Sequence, residues 1–176
     1  MTVNILISGF GGQGVLFTGK FLAYEGLLEN KEVTWLPSYG PEMRGGTANC
    51  AVIISDTPIG SPLVTKPDVL VAMNLPSLDK FESDIVPGGM VFYDSSLITR
   101  KVERTDIKAF PIPATQMASD AGFATLANMI VLGKLLKETA LFPADTIDKT
   151  IAKVVSARKQ NLIELNKKAI QLGLEL

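Results

Sequence analysis

The sequence predicts an α/β domain of three layers, with helices on both faces of a mostly parallel sheet. Three observations carry that prediction. Short β-branched runs alternate with longer helical patterns along all 176 residues, with no linker, repeat or low-complexity tract between them. The first apolar run is stopped by glycine and leads at once into a helical pattern, the strand–turn–helix order of a Rossmann-like unit. A chain of this length, 47% apolar, suits one core, so residues 1–176 are expected to form a single domain.

Val3 to Ser8 is near-continuously apolar, as a strand buried on both faces must be. Gly14 to Leu28 follows as a helix with Val15, Leu16, Leu22 and Leu27 among its apolar positions. Val33 to Leu36 is a second strand ended by Pro37, and Ala48 to Ser55 a third. Proline and glycine punctuate 58–67, after which Asp68 to Met73 is a fourth strand. Asn74 is placed to cap a short helix over Pro76 to Glu82, with Ser77 competing for that role. Pro87-Gly88-Gly89 turns the chain into a fifth strand, Met90 to Asp94, and Ile107 to Ile112 is a sixth. The rest reads as helices over Ala114 to Asp120, Thr125 to Thr139, Ala144 to Val155 and Ala157 to Leu172. Such alternation implies parallel units with right-handed crossovers.

The helix over Thr125 to Thr139 is apolar nearly all round. A helix of that kind is buried under other helices of its own chain or against a partner. The second alternative would make the isolated chain a homodimer.

Composition removes several chemistries. With 17 Lys+Arg against 18 Asp+Glu the net charge is -1, which gives no general attraction to nucleic acid or an anionic membrane. There is no histidine and only one cysteine. Ser-His and Cys-His catalysis, zinc hydrolysis and cluster-based electron transfer are therefore excluded within this chain. No metal site is expected, and no residue is nominated as catalytic. The start of the sequence has no basic region or cleavage pattern, and no window reaches the roughly 18 unbroken apolar residues a membrane span needs. A cytoplasmic location is expected, which a lone thiol suits.

Gly9-Phe10-Gly11-Gly12-Gln13-Gly14 matches G-x-G-x-x-G in the context that a dinucleotide fingerprint demands. The helix that it opens offers free N–H groups to an anion. One part is missing. A carboxylate at the end of the second strand, about 20 residues on, ordinarily meets the ribose. Here that end reads Leu36-Pro37-Ser38, and Glu32 stands at the wrong end. The loop is suited to an anion or to a partner's backbone; a tight turn with no ligand and a stand-alone nicotinamide-binding oxidoreductase stay open as alternatives.

A second loop, Ser38-Tyr39-Gly40-Pro41-Glu42-Met43-Arg44-Gly45-Gly46, leaves the second strand at the same edge of the sheet. Its prolines and glycines fix a backbone that carries Ser38, Tyr39, Glu42 and Arg44. A rigid loop with arginine at its tip suits phosphate or carboxylate, while a local Glu42–Arg44 pair closing an irregular loop is the plainer alternative.

Together, Gly9 to Val15 and Ser38 to Gly46 resemble the gamma subunit of the 2-oxoacid:ferredoxin oxidoreductases, most closely the 2-oxoglutarate (or branched-chain 2-oxoacid) branch. The resemblance continues through Asn49-Cys50, Pro58 to Pro62, Pro67-Asp68 and Met73-Asn74 and covers essentially the whole chain. It implies a subunit of an enzyme that decarboxylates a 2-oxoacid oxidatively with coenzyme A, giving acyl-CoA, carbon dioxide and reduced ferredoxin. It also implies that thiamine diphosphate, Mg²⁺ and iron–sulfur clusters sit on alpha and beta partners, with a delta subunit as an option, and that this chain alone holds no cofactor tightly. Gly9, Gly11, Gly12, Gln13 and Gly14, with Ser38, Tyr39, Glu42, Arg44, Gly45 and Gly46, are then expected to enclose the shared active site. Their contact is with coenzyme A or with a partner loop. A purely structural assembly subunit is the other alternative.

Four further features have plainer readings. Cys50 is expected to be a buried, inert thiol, and Trp35 and Phe92 core residues. Asp94-Ser95-Ser96 ends a strand at the ligand edge and reads as an Asx or Ser turn. Lys167-Lys168 reads as solvated.

Overall fold

The computed structural model describes residues 1–38, 47–156 and 161–176. Strand β1 (Thr2–Phe10) is central: Ile5 and Ile7 are buried on one face, Leu6 and Ser8 on the other. The other strands are β2 (Glu32–Ser38), β3 (Thr47–Ser55), β4 (Val69–Ala72), β5 (Met90–Asp94) and β6 (Lys108–Ile112). They form a six-stranded sheet in the order β2-β3-β1-β4-β5-β6. The β1–β4, β4–β5 and β5–β6 pairs are parallel, whereas β3 runs against both β1 and β2.

The reversal of β3 has a simple cause. A parallel crossover takes a dozen or more residues, and residues 39–46 are too few, so β3 returns beside β2 with Ser38 opposite Asn49. The alternation of strand and helix also lapses between β5 and β6, which are joined by an irregular segment. The Glu82 carboxylate anchors that segment, accepting the N–H groups of Glu103 (2.7 Å) and Arg104 (3.1 Å) and pairing with Arg100 at 2.8 Å. Burial works against the ionised form of Glu82, but these bonds outweigh it and hold the carboxyl below its usual range. Both edge strands carry a proline, Pro37 in β2 and Pro111 in β6, which removes an N–H that a foreign strand could use.

One face of the sheet packs under α1 (Val15–Leu28), α4 (Ala127–Thr139), α5 (Ile147–Val154) and α6 (Asn161–Glu175), with α3 (Ala114–Asp120) contributing Ala114 and Ala118. The opposite face has a smaller cluster of Leu6, Leu70, Ala72, Val91 and Tyr93 beneath α2 (Leu75–Phe81). Asn74, not Ser77, caps α2: its side chain accepts the Ser77 N–H at 2.9 Å. The three-layer expectation holds, with very unequal outer layers.

The apolar helix α4 is buried by its own chain, the first of the two alternatives that the sequence left open. Met129, Ile130, Leu132 and Leu135 have no exposure, and α6 lies directly on the helix. The two backbones touch at Gly133 and Gly173. A Cβ on Gly133 would run into the Ile170 carbonyl oxygen, and one on Gly173 into that of Ile130. The argument for a homodimer through this helix therefore falls.

Phe92 is fully buried and stacks on Phe110 with ring centroids 4.7 Å apart. Trp35 departs from the expected core position and is 42% exposed, because β2 is an edge strand with no further strand beside it among the described residues. Inside the helical layer, the Glu25 carboxyl on α1 is fully buried against Thr146 and Thr150. Among the described residues, no helix is long and apolar enough to cross a membrane.

Candidate functional site

Parallel strands bring their carboxyl ends to one edge of the sheet, where ligands of open α/β folds gather. At that edge the structure places Gly9 and Phe10 of β1 opposite Ala48 and Thr47 of β3, with Ser38 of β2 opposite Asn49. The glycine loop and both ends of the second loop therefore meet, as the sequence order implies. Tyr39, Glu42, Arg44, Gly45 and Gly46 lie outside the described residues.

The glycine loop is braced from two sides. Gln13 accepts the Phe10 N–H through Oε1 at 2.7 Å and donates through Nε2 to the Met73 carbonyl at 2.9 Å, tying the end of β1 to the end of β4. Gly9 has room for nothing more: a Cβ there would come within 2.6 Å of Gln13 Oε1 and 2.8 Å of the Met73 Cβ. On the other side, Asn128 of α4 donates to the Gly14 carbonyl at 3.3 Å and to the Thr18 hydroxyl at 3.1 Å. Gly14 and Gly12 both have positive φ, 75° and 95°. A side chain at Gly14 would meet the Asn128 amide, whereas nothing lies within 4 Å of a Cβ at Gly12.

That pattern divides the predicted residues. Gln13 has both amide atoms engaged with backbone, so it acts as a strut. Gly9 and Gly14 are required by packing. Gly12 leaves the backbone open to approach, and α1 begins at Gly14 with no side-chain cap on its first-turn N–H groups. The arrangement can receive an anion at backbone donors. A pocket of about 330 Å³ opens beside it, lined by Phe17, Leu126, Asn128, Val155 and Asn166 among others.

Asn128 was not legible as a site residue, since 114 residues separate it from Gly14. Its only signal in the sequence is a polar residue interrupting an apolar helix. Asp94 is engaged internally: its carboxylate accepts the N–H groups of Ser96 (3.0 Å) and Thr115 (3.3 Å) and the Thr115 hydroxyl (2.5 Å), forming the expected turn and fastening the start of α3. Cys50 is fully buried beneath α1, and burial pushes its thiol up to about 12 despite a contact from Trp35. Among the described residues, no three His, Cys, Asp or Glu side chains come together as metal ligands.

Residues 4–176 match the family model described as pyruvate ferredoxin/flavodoxin oxidoreductase. The chain is 39% identical over 173 residues to the ketoisovalerate oxidoreductase subunit VorA of Methanothermobacter thermautotrophicus. That match covers 98% of this chain but 36% of VorA, so the chain spans little more than a third of that relative. It is 38% identical over 172 residues to the 2-oxoglutarate synthase subunit KorC of Methanocaldococcus jannaschii, covering 95% of this chain and 92% of KorC. The solved gamma subunit of a keto/oxoacid ferredoxin oxidoreductase from Geobacter sulfurreducens superposes with a TM-score of 0.83 at 31% identity, covering 98% of this chain and 96% of that one. A 2-oxoglutarate:ferredoxin oxidoreductase from Magnetococcus marinus shares the fold, with a TM-score of 0.87 at 23% identity over 99% of this chain and 30% of that one.

Proposed function

The chain belongs to the pyruvate ferredoxin/flavodoxin oxidoreductase family, and from that premise we propose that it is the gamma-type subunit of a multi-subunit 2-oxoacid:ferredoxin oxidoreductase. The observation that carries this reading is the end-to-end match to KorC, a relative of nearly the same length. The complex would decarboxylate a 2-oxoacid oxidatively with coenzyme A, yielding acyl-CoA, carbon dioxide and reduced ferredoxin, in the cytoplasm. The same match, with the form of the second loop, favours 2-oxoglutarate as the substrate. Residues 1–176 would serve as one domain of the assembly.

Among the described residues, no group of side chains fits a metal or a cluster. The sequence has no histidine and a single, buried cysteine. Thiamine diphosphate, Mg²⁺ and iron–sulfur clusters therefore belong, in this proposal, to alpha, beta and optional delta subunits. An anionic group does fit the glycine loop, whose open backbone at Gly12 and uncapped helix start offer N–H donors. This chain's part is to close over the shared site, with Gly11, Gly12, Ser38, Tyr39 and Arg44 toward the phosphates of coenzyme A. Gly9, Gln13 and Gly14 hold that loop in shape, and Glu42, Gly45 and Gly46 complete the second loop.

The test is anaerobic affinity purification of the tagged chain from its native cells, followed by native mass, visible absorbance, thiamine diphosphate analysis and a 2-oxoacid panel. A large brown complex that turns over 2-oxoglutarate is expected. A colourless chain that purifies alone and binds NAD(H) with micromolar affinity would overturn the proposal. Within the complex, Arg44→Ala should raise the KM for coenzyme A about tenfold, the cost of one lost charge-assisted contact, with assembly intact. An unchanged KM would remove the ligand role of the second loop.

A further inference from the structure

Asn128 is the polar exception among the buried residues at the start of α4. It is 5% exposed, and the residues that follow it, Met129 and Ile130, are apolar and fully buried. Burying a carboxamide costs free energy unless its hydrogen bonds are made. Among the described residues, the bonds of Asn128 both reach the start of α1. Its Nδ2 donates to the Gly14 carbonyl at 3.3 Å and to the Thr18 hydroxyl at 3.1 Å. Since a carbonyl oxygen can only accept, the Gly14 contact also fixes which way the carboxamide is turned.

Neither partner needs Asn128 in order to be satisfied. The Gly14 carbonyl already accepts the Thr18 N–H at 2.9 Å and the Thr18 hydroxyl at 3.1 Å, and that hydroxyl has used its one proton in doing so. An apolar side chain of the same size at position 128 would therefore leave no donor or acceptor of Gly14 or Thr18 orphaned. What Asn128 adds is a third donor on one carbonyl, arriving from a different helix. Gly14 is where such an anchor matters. It is left-handed, with φ 75°, and glycine populates left- and right-handed backbone alike, so the orientation of its peptide has to be fixed from outside. Gln13 braces the loop from the strand side. On the α4 side a pocket of about 330 Å³ opens, and the three atoms nearest to a Cβ at Gly14 all belong to Asn128. In a planar trans peptide the C=O and N–H groups point in opposite directions. Anchoring the Gly14 carbonyl toward α1 and α4 therefore aims the Val15 N–H, the first donor of an uncapped helix, outward.

We propose that Asn128 is a positioning residue for coenzyme A: from the buried start of α4 it fixes the Gly14 peptide, so that the N–H donors of the glycine loop are set before a phosphate of the coenzyme arrives. The proposal rests on the gamma-type reading, in which the glycine loop faces coenzyme A. It adds a residue 114 positions away that holds the loop ready.

The test is made on the purified complex, with 2-oxoglutarate saturating and coenzyme A varied. Asn128→Leu keeps the volume and removes the donor. Asn128→Ser, a milder change should the leucine variant fail to fold, is too short to reach Gly14. Leu135→Val, two turns along α4, controls for a general loosening of that helix, and Gly12→Ala puts a methyl group on the open backbone of the loop. Native mass establishes that each variant assembles. The KM for coenzyme A should rise about fivefold in both Asn128 variants, the loss of a preorganised contact, with kcat at saturating coenzyme A unchanged. Leu135→Val should leave that KM at the wild-type value. A merely structural role would lower the active fraction, and with it kcat, without moving KM. That result, or a KM that rises equally in Leu135→Val, would overturn the proposal. If Gly12→Ala raises the KM and neither Asn128 variant does, the loop meets the coenzyme without help from Asn128, so the proposal fails and the gamma-type reading stands. If Gly12→Ala and both Asn128 variants leave the KM unchanged, the coenzyme contact of the loop falls, and this proposal with it. A wild-type chain that recovers no other subunit would overturn the gamma-type reading itself.

Discussion

Gly12 and Gly14 share a positive φ but not an environment, and that contrast yields a direct experiment. Gly14→Ala forces Cβ into the Asn128 amide as well as into left-handed backbone. It should cost about 2–4 kcal/mol in urea unfolding. Gly12→Ala meets open space and should cost only about 1 kcal/mol for the backbone conformation, so any larger effect of that variant in the complex reports on the ligand. Cys50 supplies a second check at this scale. With its thiol buried and pushed up to about 12, it should resist alkylation at pH 8 in the folded chain and react fully once the chain is denatured. The glycine spacing made the loop legible in the sequence. The roles within it were not, because the engagement of Gln13 with Met73 and of Asn128 with Gly14 joins positions far apart in the chain.

Between elements, the α1–α5 seam has a titratable group at its centre. The Thr146 hydroxyl lies 2.5 Å from Glu25 Oε2 and 2.8 Å from the Pro143 carbonyl, but it has one proton to donate. A protonated Glu25 donating to Thr146, which in turn donates to Pro143, satisfies both contacts. Burial raises the Glu25 pKa and nearby Glu29 and Asp145 raise it further, against the lowering contacts of Thr146 and Thr150. Since the folded chain holds this proton more tightly than the unfolded one, stability should fall as pH rises above the ordinary glutamate range. Glu25→Gln should remove that slope and gain on the order of 1 kcal/mol at pH 8, measured by urea titrations across pH 5 to 8. If the slope persisted in the variant, the carboxyl would not be its source. Elements with simple local signals were well marked in the sequence: β5 and α3 fall where their patterns end. The periodicity of α4 showed that it was buried but not by what, because Gly173 lies far along the chain. The direction of β3 followed from the shortness of the connection, a signal that strand–helix alternation obscured.

Across the molecule, stability should follow the inequality of the layers. β1, β3, β4 and β5 are paired on both sides and buried, while β2 and β6 are edge strands. Native-state hydrogen exchange should therefore find the slowest amides in β1, β3, β4 and β5 and exchange on the order of a hundredfold faster in β2 and β6. Equal protection across all six strands would contradict that ordering. The α/β class and the count of strands could be read from the sequence because each depends on local patterning. The inequality of the two outer layers could not, since it depends on which elements arrive to cover each face of the sheet.

The contact of Gly133 with Gly173 has a consequence for biosynthesis. α4 leaves the ribosome well before α6, so for that interval the face of α4 that α6 covers is bare. Two facing glycines leave the cover no ridge to catch on and allow a close final fit, but they give no grip until α6 has formed. The nascent chain should therefore be most open to chaperone capture or aggregation after α4 has emerged, and the completion of α6 should end that exposure.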